Sequence, residues 1–166
     1  MSVELIISIL SLCFTFGTLI FVIIIDIIRL KFSKSSYSTR LLLDMINEFR
    51  SAEFRKHRFF IKNKLSNNYE PIKGYYEIKN EEHRRSVTTV SHFFDLLGLL
   101  VNDKYIDEKV ILKYMGEAII DMWEILEPYI HYERNRNIRD YQKYFEGLTK
   151  KAKEVDISKL RRKYLD

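Results

Sequence analysis

The sequence predicts an all-α protein: an N-terminal transmembrane helix followed by a four- to five-helix cytoplasmic bundle. Three observations lead there. Leu5 to Ile25 is a run of 21 residues without one charged side chain. From Leu42 onward, apolar residues recur at helical spacing. The 5 Gly and 2 Pro among 166 residues are too few for the turns of a many-stranded protein. The 46% hydrophobic content, with 11 Tyr and 11 Phe, excludes a disordered chain. A single Cys excludes an intramolecular disulfide and a Cys-based zinc site.

As a helix, the apolar run is about 31 Å long, close to the thickness of a bilayer's hydrocarbon layer. A cleaved signal peptide is not expected, since no Lys or Arg precedes the run and no small-x-small site follows it. Charge placement sets the orientation. Residues 1–28 carry a net of −2, residues 29–64 a net of +7, and residues 65–166 a net of zero. Lys and Arg beside a span stay cytoplasmic, which predicts an inner-membrane protein with its N-terminus outside. Arg29, Lys31, Lys34 and Arg40 are the expected contacts to anionic lipid. The chain therefore divides into residues 1–34, anchor and basic juxtamembrane segment, and residues 35–166, the cytoplasmic bundle.

The span is one-sided. At about 100° per residue, Ser8, Ser11, Thr15 and Thr18 share an arc of about 80° with Glu4 and Asp26. Small hydroxyl residues on one stripe let helices approach and hydrogen-bond across the contact, so these four are the candidate association residues of a homo-oligomer. The plainer alternative is that each hydroxyl bonds back to a carbonyl of its own helix.

The bundle follows from its periodicity and caps. A linker is expected at Lys34–Ser38, then a stripe of Leu42, Met45, Ile46 and Phe49. Ser51 caps a second helix carrying Phe54, Phe59 and Ile61. Ser66, Asn67, Asn68, Pro71 and Gly74 mark a loop. Glu81 to Val101 is the next helix, with Val87, Val90, Phe94, Leu97 and Val101 buried and Asn102 and Asp103 ending it. Asp107 caps a helix running through Val110, Ile111, Tyr114, Met115, Ile119, Met122 and Leu126, which Pro128 is expected to bend or end. Arg134–Asn137 reads as a turn, and Asn137 as the cap of a last helix with Ile138, Tyr141, Tyr144, Phe145 and Leu148. Trp123 is the expected core anchor.

Few residues suggest chemistry. His57, His83, His92 and His131 stand at no spacing that sets two metal ligands on one helix face, so no metal and no cofactor is expected. Glu117, Asp121, Glu124 and Glu127 line an acidic face that is solvated or meets a basic partner. The small all-α HEPN nucleases use an Arg and a His separated by four to six residues. Arg50 and His57, and Arg85 and His92, match that spacing, but Ser51 and Ser86 stand where that family carries Asn, Asp or His. The basic segment alternates with core-type apolar residues, which argues against a nucleic-acid partner.

Several segments carry a resemblance: Ser51-Ala52-Glu53-Phe54-Arg55, Phe93-Phe94-Asp95-Leu96-Leu97-Gly98, Tyr105-Ile106-Asp107, Met115-Gly116-Glu117, Trp123 and Tyr144-Phe145. With the anchor, they resemble a bacterial domain-of-unknown-function family whose members join an N-terminal membrane helix to a helical cytoplasmic domain. The pattern is similar to that of phage abortive infection proteins. The resemblance implies no catalytic residues; it implies phage defence as the setting. The expectation is a non-enzymatic, single-pass membrane protein that oligomerises and binds a protein partner through its bundle. A membrane-tethered HEPN-like ribonuclease and a soluble helical adaptor are the alternatives.

Overall fold

A computed structural model describes residues 3–70, 74–75, 78–136 and 139–157; for residues 3–13, 28 and 30–35 it describes the backbone alone. Among the described residues every regular element is helical: α1 (Val3–Arg50), α2 (Ala52–Phe60), a π-helical turn (Ile61–Leu65), α3 (Ser66–Asn68), α4 (Glu81–Asn102), α5 (Glu108–Arg136) and α6 (Lys143–Glu154). Packing divides the chain into two compact units, Met1–Arg40 and Leu41–Asp166.

The first unit is the leading part of α1. The linker expected at Lys34–Ser38 is not a break, because α1 is helical through it. No Gly or Pro interrupts that stretch, and serines alone do not end a helix. Among the described residues no helix is long and apolar enough to cross a membrane. Within the expected span Leu5–Ile25, described side chains begin at Phe14.

The second unit is organised by an aromatic chain that crosses every long helix. Phe49, at the end of α1, meets Phe54 of α2 at 6.0 Å between ring centroids. Phe54 meets Phe93 of α4 at 4.5 Å. Beyond it, Phe94 stacks on Phe145 of α6 at 5.1 Å, and Trp123 of α5 meets the edge of Phe145 at 5.0 Å. Each such pair adds about 0.5–1.5 kcal/mol to the burial of its rings. The Arg58 guanidinium closes the α1 end of the chain, 4.0 Å above the Phe49 ring.

Capping residues set most boundaries. Ser51 accepts from the Phe54 amide at 3.0 Å, starting α2 directly after α1. Asn80 accepts from the His83 amide at 3.1 Å to start α4. Asp107 accepts from the amides of Lys109 and Val110 at 2.8 and 3.2 Å to start α5. The five apolar residues expected inside α4 are all buried, as is Trp123.

Four expectations need correction. Phe59 is exposed, because at about 100° per residue it stands about 140° from Phe54, off the buried stripe. Phe60 and Leu65 join Phe54 and Ile61 inside instead. Val110 and Tyr114 are likewise exposed, leaving Ile111, Leu112 and Met115 to face the core. Pro128 does not end α5, which continues to Arg136. It lies on an exposed face, so water can satisfy the carbonyl it frees, while Leu126, Tyr129 and Ile130 hold the helix to the core. The last helix starts at Lys143, later than expected; Asn137 and Ile138, its expected cap and first apolar residue, lie outside the described residues.

That late start has a tertiary cause. Gln142, just before α6, sits in the left-handed region at φ 57° and its side chain does not cap the helix. The acceptor comes from α4: Asp95 Oδ1 takes the amides of Tyr144 and Phe145 at 2.9 and 3.0 Å. One turn along α4, Gly98 lets the α6 backbone touch down, since a methyl group there would overlap the Tyr144 carbonyl. Asp95→Ala is expected to lower stability by about 1–2 kcal/mol, and Asp95→Asn, which keeps an acceptor, by less. Gly98→Ala is expected to cost about 1–3 kcal/mol through overlap with backbone. Denaturant titration of the full chain in mild detergent reads all three.

Candidate functional site

A buried histidine organises the junction of α2 and α4. His57 follows Phe54 on the inner face of α2 and is only 7% exposed. Its Nδ1 lies 2.9 Å from Ser86 Oγ. The Ser86 hydroxyl donates to the Glu82 carbonyl at 2.9 Å, so in this contact Nδ1 carries the proton and donates to Oγ. Ser86 is thereby a satisfied structural hydroxyl, with its proton directed at backbone. On the other side of the ring, Nε2 is 3.8 Å from Glu53, and the same carboxylate is 3.4 Å from Arg85.

Beside this junction lies an open groove of about 380 Å3. Lys56, Phe59, Phe60 and Lys64 form one wall, and Glu82, His83 and Ser86 the other. Phe60 and His83 stack at 4.2 Å, and the His83 Nδ1 is 2.8 Å from the Tyr69 hydroxyl. Lys56 pairs with Glu82 at 2.7 Å. That hydrogen bond raises the lysine's pKa and lowers the glutamate's. Phe59, 60% exposed, shares the groove with Lys56 and Lys64.

A smaller hollow of about 220 Å3 lies between α4 and α6, near Gly98, Lys143 and Lys151. Its two ammonium groups are held by Asp140 at 3.2 Å and Glu108 at 2.6 Å. Elsewhere, the loop ahead of α4 is strapped to α5. The Tyr129 hydroxyl donates to the Tyr69 carbonyl at 2.8 Å, and the Tyr75 amide donates to the buried Glu133 at 3.0 Å. Gly74 enters this strap at φ +65°, beside the Tyr132 ring. Burial pushes the Tyr75 hydroxyl well above its ordinary range, reinforced by Tyr141 and Glu133, so it stays protonated.

The residues singled out in the sequence fall as follows. The side chains of Ser8, Ser11, Lys31 and Lys34 lie outside the described residues. Thr15 and Thr18 are exposed, and the Thr18 hydroxyl donates to the Thr15 carbonyl at 2.9 Å, within its own helix. Arg29 and Arg40 are exposed. Of the acidic face, Asp121 pairs with Lys62 at 2.7 Å, Glu124 with Lys153 at 3.2 Å and Glu127 with His131 at 3.5 Å. The partner of that face is thus partly the protein's own basic segment. The two Arg–His spacings do not define two sites; the structure brings Arg85 and His57 together around Glu53, one residue from each pair. His92 is exposed, 6.3 Å from the Tyr141 ring. Among the described residues, no group of His, Cys, Asp and Glu could hold a metal ion. Sequence reasoning missed the groove; its signal was Phe59 off the buried stripe, in a stretch of chain rich in Lys and Arg.

The family model DUF4760, a domain of unknown function, matches residues 5–154. The chain belongs to that family. No curated protein and no solved structure matches it. In this DUF4760 chain the segments that carry the resemblance are junction residues: Ser51 caps α2, Asp95 and Gly98 dock α6, Asp107 caps α5, and Gly116 lies against Ile157.

Glu146 shows how charge holds the α5–α6 junction. It pairs with Lys150 at 2.7 Å and with Arg134 at 2.6 Å, and Arg134 also donates to the Tyr141 carbonyl at 2.7 Å. The hydrogen bonds from Lys150 and then Arg134 lower the Glu146 pKa. A carboxylate depressed in the folded state stabilises above its unfolded pKa, and that stability is lost as pH falls through the folded value. Glu146→Gln is therefore expected to flatten the acid limb of the stability–pH curve below about pH 4.5. Thermal melts at pH 3–7 check this.

Proposed function

We propose that this protein is a single-pass, membrane-anchored helical interaction protein that acts by oligomerisation at the inner membrane, with phage defence as its setting. One observation carries the reading. From Phe14 to Ile27, nine large apolar side chains are 49–74% exposed, all but Val22 lying off the polar stripe of α1. Large apolar side chains exposed over most of a helix's circumference have to be covered by lipid or by other protein. The uncharged sequence continues back to Leu5, which extends the apolar stretch to the length of a span. The basic flank Arg29–Arg40 supports an N-out orientation with the bundle in the cytoplasm.

Self-association through Ser8, Ser11, Thr15 and Thr18 belongs to the same proposal. The bond from Thr18 to Thr15 leaves the hydroxyl oxygen's lone pairs available to a neighbouring helix. Defence enters through the resemblance of the sequence pattern to phage abortive infection proteins; on this reading, assembly of this chain during infection perturbs the membrane. The bundle would then serve as the surface for a protein partner.

The tethered-ribonuclease reading is favoured by one observation, the approach of Arg85 and His57 to Glu53. Against it, His57 is buried and its ring proton is directed at Ser86. Substituting His57 and His92 and assaying RNA cleavage by the full chain separates the two readings; the interaction reading expects no cleavage before or after.

Carbonate extraction of membranes from expressing cells is expected to leave the wild-type chain in the pellet. Ile20→Lys with Ile24→Lys, adding about 2.5–3.5 kcal/mol each to insertion, is expected to move it to the supernatant. A soluble wild-type chain would sink the anchor. Replacing the four hydroxyl residues with Ala is expected to reduce association in a membrane two-hybrid assay several-fold. Unchanged association would remove that stripe from the mechanism.

A further inference from the structure

The groove between α2, the π-helical turn and the start of α4 is assigned no role by membership of the family or by the anchor. Its chemistry has two halves. One is cationic: Lys64 makes no ion pair among the described residues, and Lys56, although paired with Glu82 at 2.7 Å, has two further ammonium donors. The other is apolar: the Phe60–His83 stack lines the groove, and the Phe59 ring stands 60% exposed at its edge. Other nearby cations are already engaged, with Lys62 on Asp121 at 2.7 Å and Arg85 on Glu53 at 3.4 Å.

A long polyanion such as single-stranded RNA needs a continuous basic track. Here the exposed carboxylates of Glu53, Glu82 and Asp121 interrupt it. The site suits one phosphate attached to an apolar body. An exposed aromatic ring beside lysines is also the composition that seats protein surfaces at the headgroup–acyl boundary. We propose that this groove binds an anionic phospholipid, Lys64 and Lys56 receiving its phosphate while Phe59 enters the acyl region. The proposal rests on the reading of the chain as membrane-associated, and it gives the bundle its own contact with the bilayer.

The test uses the full chain in neutral detergent micelles, so that it does not depend on whether α1 spans a bilayer. Dihexanoyl phosphatidylglycerol, dihexanoyl phosphatidylcholine, inorganic phosphate and a single-stranded RNA oligonucleotide are titrated separately, and the melting temperature is followed. Phosphatidylglycerol is expected to raise it and phosphatidylcholine to leave it unchanged. Lys64→Glu and Phe59→Ser are each expected to weaken the apparent affinity at least tenfold. Both positions are exposed, so the ligand-free melting temperature should hold and report that the fold is intact. Equal responses to the two lipids, or wild-type affinity in both variants, would overturn the proposal. A stronger response to RNA would reassign the groove to nucleic acid, and an equal response to phosphate alone would make it a free-anion site; either outcome overturns the lipid. Carbonate extraction of the wild type reads the anchor independently, so the two failures are distinguishable.

Discussion

Helix α6 cannot cap itself, and the bundle depends on how that shortfall is met. The Lys143 amide reaches the Asp140 carbonyl at 3.3 Å, but Gln142, in the left-handed region, offers no side-chain cap to the amides of Tyr144 and Phe145. Unpaired buried amides cost about 1–3 kcal/mol each, so a helix starting against the core needs an acceptor from elsewhere. Asp95 supplies it from the middle of α4. The carboxylate also complements the positive end of the α6 dipole. Because the acceptor is fixed on another helix, starting α6 and docking it on α4 become one event. Gly98 permits the close approach that the hydrogen bonds require, and Phe94, next to Asp95, stacks on Phe145.

From that lock the aromatic chain extends outward. Phe145 reaches Trp123 of α5, while Phe93 and Phe94 reach Phe54 of α2 and Phe49 at the end of α1. Polar contacts stand at the margins. His57 with Ser86 ties α2 to α4, and Arg134 with Glu146 ties α5 to α6. Both are inter-helix contacts with at least one partner largely shielded from water, where a hydrogen bond is stronger and its loss more costly.

The two units answer different physical demands. Among the described residues of the second unit, 27 apolar side chains are buried in the core. From Phe14 to Ile27, nine large apolar side chains are exposed. That contrast underlies the proposed anchor. The groove beside Phe59 is an intermediate case, in which a large ring is left exposed among cations although the core beside it is closed.

What could be read from residues alone was whatever depends on near neighbours in the chain. The helical class, the caps at Ser51 and Asp107, the buried stripe of α4 and the core position of Trp123 all follow from periodicity and from side chains that serve amides two or three residues away. The distant partnerships did not follow. Asp95 serving amides 49 and 50 residues later, Gly98 set against Tyr144, and Arg85 meeting His57 across Glu53 depend on which helix faces bury against each other. Pro128 illustrates the same division. By local rules it ends a helix, but the packing of Leu126, Tyr129 and Ile130 carries α5 past it. Short-range hydrogen bonding is written in sequence spacing, whereas the pairing of surfaces is decided only when the whole core closes, because burial depends on every helix at once.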